Sequence, residues 1–175
     1  MKPRFWAFLG GTLLAGLAMS CAKQSSKDIV LKAYSLDSLD DVIQESGVEA
    51  DRAVKKEGRA ALKVTVTEPS IIPIFQTGDI DVENATLIYQ AKIRTQDAQG
   101  NVYLEMSCRF EGKGEFFSRD LISPIKGTLG WTTREIPYIL KVGENPDNVR
   151  LNIVSEGTGI IWIDDIRLLK RKPPE

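Results

Sequence analysis

The run "GIIWIDDIRLLK", residues 159–170, decides how the chain reads. Ile160, Ile161, Trp162, Ile163, Ile166, Leu168 and Leu169 make it a buried strand. Two carboxylates, Asp164 and Asp165, interrupt it at the middle. A carboxylate taken out of water needs hydrogen bonds or a cation. Neighbouring strand residues point to opposite faces, so the two aspartates are expected to have separate surroundings and separate tasks.

Working outward from this run, the same period of two recurs. "ALKVTVT" (61–67) sets Leu62, Val64 and Val66 against Lys63, Thr65 and Thr67. "LIYQAKIRT" (87–95) sets Leu87, Tyr89, Ala91 and Ile93 against Gln90, Lys92 and Arg94. "NVYLEMSCRF" (101–110) puts Leu104, Met106, Cys108 and Phe110 on one face, and Tyr103, Glu105, Ser107 and Arg109 on the other. "NVRLNIV" (148–154) opposes Val149, Leu151 and Ile153 to Arg150 and Asn152. Turn signals separate these runs: "DAQGN", "EGKGE", "KGTLG", "GENPDN" and "SEGTG". Short alternating strands at this spacing predict an all-β fold, a two-layer antiparallel β-sandwich. Pro137 suits an edge strand or a bulge. Only "SLDDVIQESG" (38–47) has the pattern of a short helical turn.

The N-terminus has a different character. Lys2 and Arg4 precede an uncharged apolar run, Phe5 to Met19, that is short for a membrane span. It closes on "LAMSC" (17–21), the layout of a secretory signal peptide. With its cysteine, this stretch resembles a bacterial lipobox. The resemblance implies cleavage before Cys21, lipidation of Cys21 and anchoring in the membrane through more than one acyl chain. Ala22, rather than aspartate, follows the cysteine. By resemblance to Gram-negative lipoproteins this implies the outer membrane. The expected organisation is a signal peptide over 1–20, a lipidated cysteine and tether over 21–28, a sandwich domain over 29–170 and a tail over 171–175. The seven residues "AKQSSKD" reach roughly 25 Å at most, which keeps the domain close to the bilayer.

Removing 1–20 leaves 155 residues with 21 basic against 24 acidic side chains. That is enough chain for one domain with a real core, and too even a charge for a nucleic-acid partner. Only Cys108 then remains, so no intramolecular disulfide supports the fold. Cys108 alternates in phase with Val102, Leu104 and Met106, as a buried apolar residue does. The chain has no histidine, which removes His-based triads and imidazole metal sites. No carboxylate pair stands out as an acid and a base, so the expectation is a protein that is not an enzyme.

The C-terminal third, "GWTTREIPYIL" followed by "NVRLNIVSEGTGIIWIDDIRLLK", resembles the end of carbohydrate-binding modules of the galactose-binding-like, jelly-roll type. Trp131, Gly157, Gly159, Trp162, Asp164, Asp165, Ile166 and Leu168 carry the resemblance. "KEGRAALKV" (56–64) and "YSLDSLDD" (34–41) resemble the front of such modules more loosely. The resemblance implies a structural calcium held by Asp37, the Arg59 carbonyl and Asp164, fastening the last strand to the first. The other reading of Asp164 is that it accepts backbone N–H bonds or pairs with a basic residue. For ligand binding, the polar faces of the central strands offer Gln90, Lys92, Tyr103, Glu105, Arg109, Arg150 and Asn152. These would hydrogen-bond a glycan, or else form cross-strand ion pairs on a solvated sheet. The resemblance thus implies a glycan or an envelope protein as partner.

Overall fold

The structure is a computed structural model that describes residues 28–78 and 80–173. The signal peptide, Cys21 and all of the tether but Asp28 lie outside the described residues. Nine strands make up the fold: β1 (Ile29–Tyr34), β2 (Val48–Asp51), β3 (Ala61–Val66), β4 (Ser70–Thr77), β5 (Ala85–Phe110), β6 (Gly114–Arg119), β7 (Ile125–Leu140), β8 (Asn148–Ser155) and β9 (Gly159–Arg171). Every pairing is antiparallel. Residues 38–47, read from the sequence as a helical turn, form irregular turns that dock on β4 instead. Ile43 N–H donates to the Ile74 carbonyl and Gln44 N–H to that of Pro73.

β5 joins the two layers. Its first part, Ala85–Gln96, lies between β9 and β7. Its second part, Val102–Phe110, lies between β8 and β6. One layer therefore runs β2-β3-β9-β5-β7, with β1 pairing to β9 beyond the end of β3. The other runs β4-β8-β5-β6. Leu62, Tyr89, Ile93, Ile161 and Ile163 from the first layer share one core with Ile74, Leu104, Met106, Leu151 and Ile153 from the second. This is the expected all-β jelly-roll sandwich.

Two of the expected turns are not turns. "DAQGN" continues β5 through a bend, with Asp97 at φ +53. There the chain crosses the β8–β9 connection at van der Waals limits. A Cβ on Gly100 would stand 2.6 Å from the Glu156 carbonyl carbon. "KGTLG" lies inside β7, which follows β5 round the same corner with three register shifts. Pro137 sits on β7, whose outer edge is free of strand partners among the described residues. There a missing N–H costs no ladder bond.

Cys108 is fully buried, and burial, with a smaller contribution from Glu115, pushes its thiol up to about 12. At pH 8 it is therefore expected to stay unmodified by a thiol reagent in the native protein and to react in urea. Mass mapping of the peptide holding Cys108 checks this.

Candidate functional site

The feature that shapes the first layer is a bulge in β9. Lys92 pairs with Asp164 and Gln90 with Arg167, so β9 carries one residue more than β5 over this span. Asp165 is the extra residue, at φ +47, a conformation aspartate tolerates better than most. Ile163 and Ile166 both face the core, with two residues between them rather than one. The period of two fails here, so the expectation of opposite faces fails with it. Both aspartates leave the core and turn to the outer side of the layer.

There they do one job together. Asp164, 4% exposed, accepts the N–H of Lys56 at 2.7 Å and of Glu57 at 2.8 Å on Oδ2. Its Oδ1 accepts the Asp165 N–H at 2.7 Å. Asp165 pairs with Lys92 Nζ at 2.9 Å and with Arg167 Nε at 2.6 Å. Lys92 in turn holds the Glu57 carboxylate. The segment between β2 and β3 is thus clamped to β9 through its backbone by one aspartate and through its side chain by the other. A third tie completes the clamp: Trp162 Nε1 donates to Asp51 Oδ2 at 2.9 Å, while Asp51 Oδ1 accepts from Ala53 and Val54. Trp162 is buried as expected, but on the outer side, with the Arg94 guanidinium 5.5 Å from its ring centroid.

The three residues that the resemblance gave to calcium come close to one another. Asp37 and Asp164 line one cleft of about 410 Å³ between β1, the β2–β3 segment and the bulge. Their oxygens, however, are met by donors. Asp37 Oδ1 accepts the Arg59 N–H at 2.7 Å, and Arg59 Nε stands 3.8 Å from Oδ2. The Arg59 carbonyl accepts from Lys55 Nζ at 3.2 Å. Gly58, at φ +58, lies against the same carboxylate: a Cβ there would stand 2.8 Å from Asp37 Oδ1 and displace it. Calcium requires six to eight oxygens directed at one centre. Among the described residues no group of three or more Asp, Glu, Cys or His forms such a cluster. The residues as arranged do not fit calcium; they fit a hydrogen-bonded clamp.

For Asp165, burial raises the carboxyl's pKa, but the hydrogen bonds and charges of Lys92 and Arg167 outweigh it and hold the group below its ordinary value. A depressed native pKa supplies stability that is complete above the unfolded value of about 4 and disappears as pH falls through the native one. Asp165→Asn, which keeps the left-handed backbone, is expected to cost about 1–2 kcal/mol at pH 7. The difference from the parent is expected to vanish near pH 2, measured by urea unfolding across the acid range.

The seven residues expected to bind ligand do not form one surface. Gln90 and Lys92 face outward from the first layer, where Gln90 donates to Glu135 and Lys92 belongs to the clamp. Tyr103, Glu105, Arg109, Arg150 and Asn152 face outward from the second layer, on the other side of the sandwich. Arg109 is paired with Asp147 at 3.0 Å. The two groups are separated because β5 serves both layers, which period-two reading of two separate runs does not show.

On the second layer Glu105 forms the centre of a polar network. It is 1% exposed and accepts from Asn152 Nδ2 at 2.9 Å and from Arg119 Nε. This bond to Glu105, with the attraction of its charge, raises the Arg119 pKa. Asn152 is nearly as buried, and its Oδ1 has no hydrogen-bond partner. Tyr103 approaches Glu156 at 3.4 Å. Phe117 of β6 stands directly opposite Ser107 and is half exposed. The Arg119 guanidinium lies 5.2 Å from its ring centroid. Alternation along a strand sends the neighbours Phe116 and Phe117 to opposite faces without saying which is outward, and it does not single out Arg119. The register of β6 on β5 separates them: Phe116 meets Phe110 edge to face, and Phe117 turns to the polar side.

The fold is a jelly-roll β-sandwich, and its likeness is to carbohydrate-binding modules of that fold. The structure is similar to a xylan-binding CBM22 domain of Xyn10C from Paenibacillus barcinonensis, with a TM-score of 0.61 and 12% identity over 86% of this chain and 99% of that one. It is also similar to a second xylan-binding CBM22 domain, with a TM-score of 0.58 and 8% identity over 83% of this chain and 97% of that one. A family 16 carbohydrate-binding module aligns with a TM-score of 0.52 and 13% identity over 70% of this chain and 84% of that one. No protein-family model and no curated relative matches the sequence. At such identities the likeness establishes the fold.

Proposed function

We propose that the chain is a non-catalytic lipoprotein of the cell envelope, anchored through Cys21 in the outer membrane, whose sandwich binds a polysaccharide or envelope glycan. The observation that carries this reading is the outer face of the second layer. A half-exposed aromatic ring, Phe117, stands beside a fixed polar network of Glu105, Asn152 and Arg119. Sugar rings pair an apolar face with a rim of hydroxyls, and a ring platform beside preorganised polar groups meets both. The fold is compatible with this function and does not by itself demand it.

A second reading is a structural or protein-interaction lipoprotein that reuses the fold. It is supported by the internal partners that Glu105 and Tyr103 already possess, and by the bare apolar tip Leu121–Ile122 beyond β6. The two are separated by screening the full chain, in nonionic detergent, against a glycan array. Retention of any one polysaccharide class is the expected result, and failure to bind across the array would overturn the glycan reading. Fatty-acid labelling that is lost in Cys21→Ser tests the anchor.

A further inference from the structure

The outer face of the second layer carries three guanidinium groups with different assignments. Arg109 is taken by Asp147 and Arg119 by Glu105. Arg150 is exposed and has no carboxylate partner among the described residues. The strand registers place it in one row with Phe117, Ser107 and Gln76, across β6, β5, β8 and β4. The neighbouring row holds Arg119, Glu105, Asn152 and Pro73. Arg150 and Phe117 are two strands apart, about 10 Å, and Asn152 is two residues along β8 from Arg150 on the same face, about 7 Å.

Resting on the glycan-binding reading, we infer that the ligand is anionic: a polysaccharide bearing uronic acids. One sugar ring lies on Phe117, and a ring carboxylate is received by Arg150. The charge balance of the face supports this. Glu105 is the acidic group at its centre, and it is buried, fixed by two bonds and already neutralised by Arg119. It neither repels an approaching carboxylate strongly nor turns to satisfy Arg150. Glu115 and Asp147 lie a row away, flanking Arg109. That leaves one uncompensated planar fork of donors, the geometry that pairs with a carboxylate through two parallel bonds. A neutral glycan would leave this charge unused.

The test is affinity electrophoresis of the full chain in nonionic detergent, through gels holding polygalacturonate, alginate, a sulfated galactan, or neutral xylan and galactan. The chain is expected to be retarded by a uronate polymer at low salt and to lose most of that retardation at 0.5 M salt. Arg150→Ala is expected to weaken the interaction about tenfold, and Arg150→Glu to abolish it, with unchanged melting temperatures because the side chain is exposed. Retardation by neutral polymers alone, equal in parent and Arg150→Ala, would overturn the inference while leaving glycan binding standing. So would retardation by the sulfated polymer alone, or uronate binding indifferent to Arg150. Migration unaffected by every polymer would overturn both readings.

Discussion

Asp164→Ala is expected to lower the unfolding free energy by about 3 kcal/mol. The substitution removes the acceptor for three backbone N–H groups, those of Lys56, Glu57 and Asp165. Leaving a buried donor unmet costs about 1–3 kcal/mol. Water can reach part of the β2–β3 segment once it loosens, so the three penalties do not add in full. Asp164→Asn keeps the shape and one acceptor oxygen, but presents an amide to one of the donors, and an intermediate loss is expected. Urea unfolding measures both. A chelator added to the parent protein is expected to leave its melting temperature unchanged. A fall in that temperature on chelation, restored by calcium, would show that a cation occupies the clamp and that the N–H contacts are not its natural partners.

Phe117→Ala is expected to weaken glycan binding about thirtyfold, close to 2 kcal/mol, without altering the melting temperature. The ring is half exposed and turned away from the core, which leaves its area available to a ligand. Phe116, equally exposed, packs its edge on Phe110 at 5.9 Å and lies on the other side of β6. Phe116→Ala is therefore expected to cost stability and leave affinity within twofold. A glycan bound equally well by both variants would move the binding site away from this face. Titration calorimetry on whichever polymer the array identifies decides the matter.

The layers were legible from sequence wherever a strand was regular. Leu62, Val64, Met106, Leu151 and Ile153 face the core as alternation requires. What alternation misses is the residue that breaks it. The bulge at Asp165 has no local signature beyond two adjacent acids, and it reverses the expected relation between them. The continuity of β5 was equally hidden. "DAQGN" has the composition of a turn, but Gly100 is there because the β8–β9 connection passes against it, a contact made by residues more than fifty positions away. The candidate ligand residues fall in two groups on opposite sides of the sandwich. Arg119 escaped notice, and which of Phe116 and Phe117 faces outward was not legible, because β6 acquires its meaning only from its register on β5.

The position of β9 bears on the order in which the molecule can form. It follows every other described strand in the chain, yet it lies inside the first layer, where β1, β3 and β5 all pair with it. A ribosome that has delivered everything up to Ser155 has produced three strands, β1, β3 and β5, that still lack this partner. That layer cannot close until β9 emerges. The delay is long on the scale of local structure, since pairings distant in sequence form slowly. The same arrangement makes loss of the thirteen residues of β9, Gly159–Arg171, equivalent to loss of the whole layer.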